Sequence, residues 1–90
     1  MRLDVFLKTS RLIKRRALAK EYCDEGRVSV GGQTAKPSRE LKPGETVTLD
    51  LPRRKLVLEV VELPAGNVSK ERASTLYNVI EDIPKKDELF

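Results

Sequence analysis

The chain has no histidine and no tryptophan, a single cysteine, and only two phenylalanines and two tyrosines among its 90 residues. Without His, and with Cys23 alone, the common zinc sites cannot be assembled and no internal disulfide can form. Cys23 also lacks an imidazole to activate it, so it reads as a small buried hydrophobe rather than a nucleophile. A reducing cytoplasm fits such cysteine usage. No apolar run reaches the roughly 7 residues of a signal-peptide core or the roughly 20 of a membrane span, and Asp4 interrupts the basic start. The expectation is a soluble, unprocessed chain with no membrane partner. Paired carboxylates, a phosphate-binding glycine loop and a nucleophile–base pair are all missing. No catalytic residue, metal or cofactor is therefore assigned, and the protein is read as a binder rather than an enzyme.

Ninety residues suit one compact module with a modest core, too small for a cleft between two lobes. Only 39% of the residues are hydrophobic and 4% aromatic, so that core has to be built from Leu, Val, Ile and Ala with a few rings. Charge is plentiful and unevenly placed. Residues 1–20 hold seven Lys or Arg against Asp4 alone, whereas the other seventy carry eleven bases and thirteen acids. A polyanion is the natural partner of such an end.

Leu3, Phe6 and Leu7 share one helical face, with Asp4 in the first turn, and predict a helix over residues 3–9. Thr9 and Ser10 offer cap oxygens for a second helix, whose stripe of Leu12, Leu18, Ala19, Tyr22 and Cys23 runs to Glu25 before Gly26 supplies a left-handed stop. Val28 and Val30 then alternate with polar residues, and Gly31-Gly32 suits a tight hairpin. Thr46 to Leu51, with Val47, Leu49 and Leu51 inward, and Lys55 to Leu63 beyond the Pro52 turn read as further strands. After the break at Pro64–Asn67, Ser69 opens a weak helical segment carrying Ala73, Leu76 and Tyr77. The tail from Pro84 to Phe90, including Lys85, has little to bury and is expected to fray. The fold expected is α+β: two N-terminal helices on a small antiparallel sheet of three to five strands, with a short C-terminal helix. Residues 1–63 make the main domain, and residues 64–90 an extension with a short helix and a flexible tail.

On the second helix Lys14 and Lys20 project away from the apolar stripe, and Arg16 borders it through its spacing to Ala19 and Cys23. A guanidinium held by packing grips phosphate better than a free one. Asp4 is expected either to tether Arg16 or a neighbour, or to serve the first helix as a cap. Tyr22 is assigned to the core. A merely solvated face and a membrane-surface helix are the bland alternatives. The concentration of charge speaks against the first, and the broken apolar pattern between Thr9 and Arg11 against the second. Several phosphate contacts would make binding salt-dependent.

Arg2-Leu3-Asp4 with Phe6-Leu7, Arg16-x-x-Ala19, Gly26-Arg27-Val28-x-Val30, Gly32, Lys36-Pro37 and Pro43-Gly44-Glu45-x-Val47 together resemble the S4-type (αL) RNA-binding domain over residues 1–51. Gly31-Gly32 stands where that family usually has Asn-Gly. The opening sixteen residues and the Ala73–Tyr77 segment resemble the free-standing factor-P family of ribosome-associated quality control, related to the small ribosome-binding heat-shock proteins. The resemblance implies a monomeric cytoplasmic factor that binds large ribosomal subunits obstructed by peptidyl-tRNA. It further implies contacts with large-subunit rRNA and tRNA, and support for alanine tailing of the stalled chain by a partner that recruits alanyl-tRNA. It assigns the RNA-facing surface to Arg2, Asp4, Lys8, Arg11, Lys14, Arg15, Arg16 and Lys20.

Three rival readings carry less. Gly31-Gly32-Gln33 resembles the tripeptide with which release factors hydrolyse peptidyl-tRNA, but a hairpin already accounts for both glycines. A DNA-binding or general RNA-chaperone module would fit the same charge, as would a ribosome-binding heat-shock module with no part in tailing.

Overall fold

A computed structural model describes residues 1–85. Helix α1 spans Leu3–Thr9 and α2 Arg16–Asp24; strands β1 (Val28–Val30), β2 (Gln33–Thr34), β3 (Thr46–Asp50) and β4 (Arg54–Val60) follow, then a single helical turn α3 (Lys70–Ala73) and strand β5 (Tyr77–Pro84). All five strands join one antiparallel sheet in the order β2-β1-β3-β4-β5. This is the α+β architecture expected, with both N-terminal helices and the short C-terminal one present.

Alternation sets which sheet face is buried. Val28 and Val30, Val47 and Leu49, and Leu56, Leu58 and Val60 point to one side, where they meet Leu3, Phe6 and Leu7 of α1 and Ala19 and Cys23 of α2. Phe6, Leu3 and Leu7 are fully buried. Truncating Phe6 to alanine in such a core costs about 3–5 kcal/mol.

Local signals held where the chemistry is local. Gly31 (φ 60°) and Gly32 (φ 85°) make the two-residue hairpin between Val30 and Gln33. Gly26 (φ 78°) ends α2: its N–H donates to the Cys23 carbonyl and that of Arg27 to Tyr22, the paired bonds that satisfy the last carbonyls of a helix. Ser69 caps α3, its Oγ accepting from the Arg72 N–H at 3.2 Å. Helix α1 has no side-chain cap. The N–H groups of Leu3 and Asp4 instead donate to the carbonyls of Arg39 and Pro37, so the loop before β3 closes its end.

Three expectations are corrected. Thr9 and Ser10 do not open α2. Ser10 is buried and closes α1, its Oγ donating to the Leu7 carbonyl, and Arg11 turns the chain at φ 62°. Ile13, which the apolar stripe left out, drops into the core, and α2 starts only at Arg16. Second, Leu76 and Tyr77 are not helical. Pairing along β4, from Arg54↔Pro84 to Val60↔Tyr77, outweighs a weak helical pattern that runs into a stretch with β-branched Val79, Ile80 and Ile83, Ile80 being the extra residue at a bulge. The sheet thus reaches into the segment placed in a separate extension. Third, Pro84 and Lys85 are not frayed: the Lys85 N–H donates to the Arg53 carbonyl and its ammonium pairs with Asp50. Residues 86–90 of the expected flexible tail lie outside the described residues.

Candidate nucleic-acid interface

The site grows from the end of α1. Asp4 sits in its first turn, fully buried, with Oδ1 accepting from the Val5 N–H at 2.8 Å. A buried carboxylate is costly unless it is paired and hydrogen-bonded. Here two guanidiniums meet that need: Arg16 Nε and Arg2 Nη2 each donate to Oδ2 at 3.3 Å. Arg2 Nε also lies 3.3 Å from Oδ1, yet its alignment gives no hydrogen bond and this buried nitrogen has no other partner. The late start of α2 is what makes the pair possible, because it places Arg16 at the first helical residue, beside α1. Of the two roles open to Asp4, tethering is thus directly visible.

Both arginines keep about half of their side chains in solvent, 43% for Arg2 and 54% for Arg16. Arg16 spends only Nε on Asp4, and its terminal amino groups make no hydrogen bond among the described residues. A fork fixed at one corner and open at the others is preorganised for phosphate oxygens. The first turn of α2 contains no acid and follows Arg15. Cations there oppose the helix dipole by a few tenths of a kcal/mol, and Asp4 offsets that.

The remaining predicted cations are placed by the turn as much as by the helix. Lys14 and Arg15 lie on the α1–α2 connection, not on an α2 face as the periodicity suggested. Lys8, Arg11 and Lys14 converge around a hollow of about 390 Å³ that Thr9, Asn67 and Val68 complete. Lys14 and Arg15 border a shallower depression with Ala17, Leu18 and Glu21. Lys20 stands apart, one turn beyond Arg16 on the exposed side of α2. Lys8, Arg11, Lys14, Arg15 and Lys20 make no ion pair among the described residues. All eight predicted residues therefore lie on α1, α2, their connection or the residue before α1.

Sequence reasoning missed Asn67, which it saw only as the end of a break, along with Val68 and the Arg53-Arg54 pair. The latter borders a partly apolar groove of about 460 Å³ with Leu12, Lys14, Leu18, Tyr22 and Leu51. A dibasic turn directly after Pro52 was the available signal. Tyr22 is half-buried against the core, with the Arg27 guanidinium 5.6 Å from its ring centroid. Burial, followed by the nearby Asp4 and Asp24 carboxylates, pushes the Cys23 thiol up to about 11, so it is protonated at neutral pH. No cluster of three His, Cys, Asp or Glu side chains able to hold a metal occurs among the described residues, and no helix there is long and apolar enough to cross a membrane. Gln33 is exposed on β2 at the hairpin.

Residues 1–47 match the family described as the S4 domain. The chain is 45% identical over 82 residues to a Bacillus subtilis protein named RQC P-site tRNA stabilizing factor, covering 91% of this chain and 94% of that one. It is 30% identical to heat shock protein 15 of Escherichia coli, covering 99% of this chain and 68% of that one. Among solved structures, the trimeric structure of Vibrio cholerae heat shock protein 15 superposes with a TM-score of 0.82 at 29% identity, covering 88% of this chain and 80% of that one.

Proposed function

Because this chain belongs to the S4 domain family and groups there with the RQC P-site tRNA stabilizing factors, we propose that it is an RNA-binding factor of ribosome-associated quality control that holds tRNA on an obstructed large ribosomal subunit. The observation that carries this reading is the Asp4-tethered pair Arg2 and Arg16, set among five cations that have no acidic partner among the described residues. Such an edge recognises folded RNA by the positions of its phosphates and not by base sequence. Arginines already fixed lose less side-chain freedom on binding, so more of each contact appears as affinity. By holding peptidyl-tRNA and large-subunit rRNA together, the protein keeps the particle competent while a partner that recruits alanyl-tRNA extends the stalled chain with alanine. Its role is binding and not catalysis, and Gln33 takes no part in hydrolysis. It works in the cytoplasm as a single copy.

Sucrose-gradient sedimentation with purified large subunits carrying peptidyl-tRNA tests this. The protein should travel with the obstructed particle, less so with empty subunits, and a chain with Lys14, Arg15 and Arg16 changed to alanine should stay at the top. Equal recovery with any RNA offered would replace the assignment by general RNA binding. Peptide release above the buffer rate on adding the protein would overturn the non-catalytic role.

A further inference from the structure

We propose that the hollow between the α1–α2 turn and the loop after β4 is a seat for one backbone phosphodiester of the bound RNA, assembled jointly by the S4 domain and the segment beyond it. It rests on the RNA-binding role argued above and adds a specific site to it. Three cations line the hollow, Lys8, Arg11 and Lys14, together with the neutral polar residues Thr9 and Asn67. No acid lines it, and none of the three cations is ion-paired among the described residues. Convergent positive charge with neutral donors and no carboxylate is the chemistry of an anion site. No aromatic side chain is present for a base to stack on, so the backbone is the matching part of a nucleic acid.

The backbone supports the same conclusion. Arg11 holds φ 62°, the left-handed region, and is the one non-glycine residue to do so among the described residues. Glycine would adopt this conformation without strain; the turn holds an arginine in it through the Arg11 N–H to Lys8 carbonyl and Ile13 N–H to Leu7 carbonyl bonds between buried Ser10 and Ile13, which fixes the base of its side chain at the hollow. The other wall is anchored as well. Val68 packs against the core and Pro64 is buried, which fixes Asn67 between them. Asn67 lies outside residues 1–47, the part shared with the S4 family. The loop between β4 and β5 therefore contributes a lining residue that the shared domain lacks.

Anisotropy titrations of fluorescein-labelled tRNA with the full chain, repeated across a range of KCl concentrations, test the seat. Arg11→Gly should weaken binding about fivefold and reduce the slope of log K against log salt by about one. Its thermal midpoint should hold or rise, because glycine accepts the same backbone. Asn67→Asp should weaken binding at least as much, whereas Asn78→Asp on β5, the same chemical change at an exposed residue that does not line the hollow, should leave it unchanged. Wild-type affinity for both Arg11→Gly and Asn67→Asp, with Arg16→Ala still impaired, would overturn the seat and leave the RNA-binding edge standing. An unimpaired Arg16→Ala would overturn the edge itself, and the seat would then be judged by its own two variants. Amide shifts at Arg11 and Asn67 that saturate with submillimolar inorganic phosphate at fixed ionic strength would mark a free-anion site and overturn the backbone assignment.

Discussion

Five cations beyond the N-terminal helices each have an acidic partner of their own, whereas on the helical edge a single buried aspartate serves two arginines and five further cations have none among the described residues. Arg27 pairs with Glu25 at 2.7 Å, Arg39 with Glu45 at 2.6 Å and Arg54 with Asp82 at 3.2 Å, while Arg72 and Lys85 pair with Glu62 and Asp50. Lys8, Arg11, Lys14, Arg15 and Lys20 have no such partner among the described residues, and Arg2 and Arg16 share one buried aspartate. A formal charge of +4 is thus unevenly spread: acids outnumber bases, thirteen to eleven, over residues 21–90, while Asp4 alone opposes the seven bases of residues 1–20 along α1 and α2. Paired surface charges add little stability. Unpaired ones repel each other and are kept where they can meet an external anion.

The sharpest way to break this contrast is charge reversal. Lys14→Glu with Arg15→Glu should lower tRNA affinity about a hundredfold, whereas Arg39→Glu with Arg72→Glu on the paired side should change it less than about threefold, both read by anisotropy at one salt concentration. Asp4→Ala comes next. Leaving two guanidiniums without their buried partner should cost about 2 kcal/mol in a urea melt and weaken tRNA binding about tenfold, although the substitution adds positive charge. A gain in affinity would show that charge, and not tethering, governs the edge. Arg16→Ala should lose more affinity than Lys85→Ala, about fivefold against no measurable change, because the first lies on the open edge and the second is engaged with Asp50. Equal losses would contradict a localised face.

Cys23 reports on the packing beneath that edge. Its folded pKa of about 11 lies above the ordinary 9.0, so the folded state binds the thiol proton more tightly. The associated stability is present in full below pH 9 and is lost as pH rises from 9 toward 11. Native protein should therefore react slowly with iodoacetamide at pH 8, unfolded protein quickly. The smallest effect belongs to the sheet side: a double-mutant cycle on Arg72 and Glu62 should give a coupling below about 1 kcal/mol.

Features that depend on neighbours in sequence were legible. Gly26, the Gly31-Gly32 hairpin, the Leu3, Phe6 and Leu7 face and the Ser69 cap each follow from chemistry within a few residues. The start of α2 was not, because Ser10 offers the same oxygen to close one helix or to open another, and burial of Ile13 decided between them. Strand β5 was hidden for a similar reason: its edge position leaves Val79, Ile80 and Ile83 exposed, so no inward pattern marks it, and only the β4 partner gives it hydrogen bonds. The cations of the helical edge could be named by charge alone, but the place of Asn67 beside them could not, since nothing within residues 64–67 tells which surface that loop will approach.

The sequence by itself determined how much positive charge this protein has, at which end, and where its turns must fall, because composition and backbone freedom are local properties. The tertiary structure alone decided which of those charges are spent. Whether Arg16 is tethered to Asp4, Lys85 neutralised by Asp50, or Arg11 brought opposite Asn67 depends on distances between residues far apart in the chain, and folding of the core sets those distances.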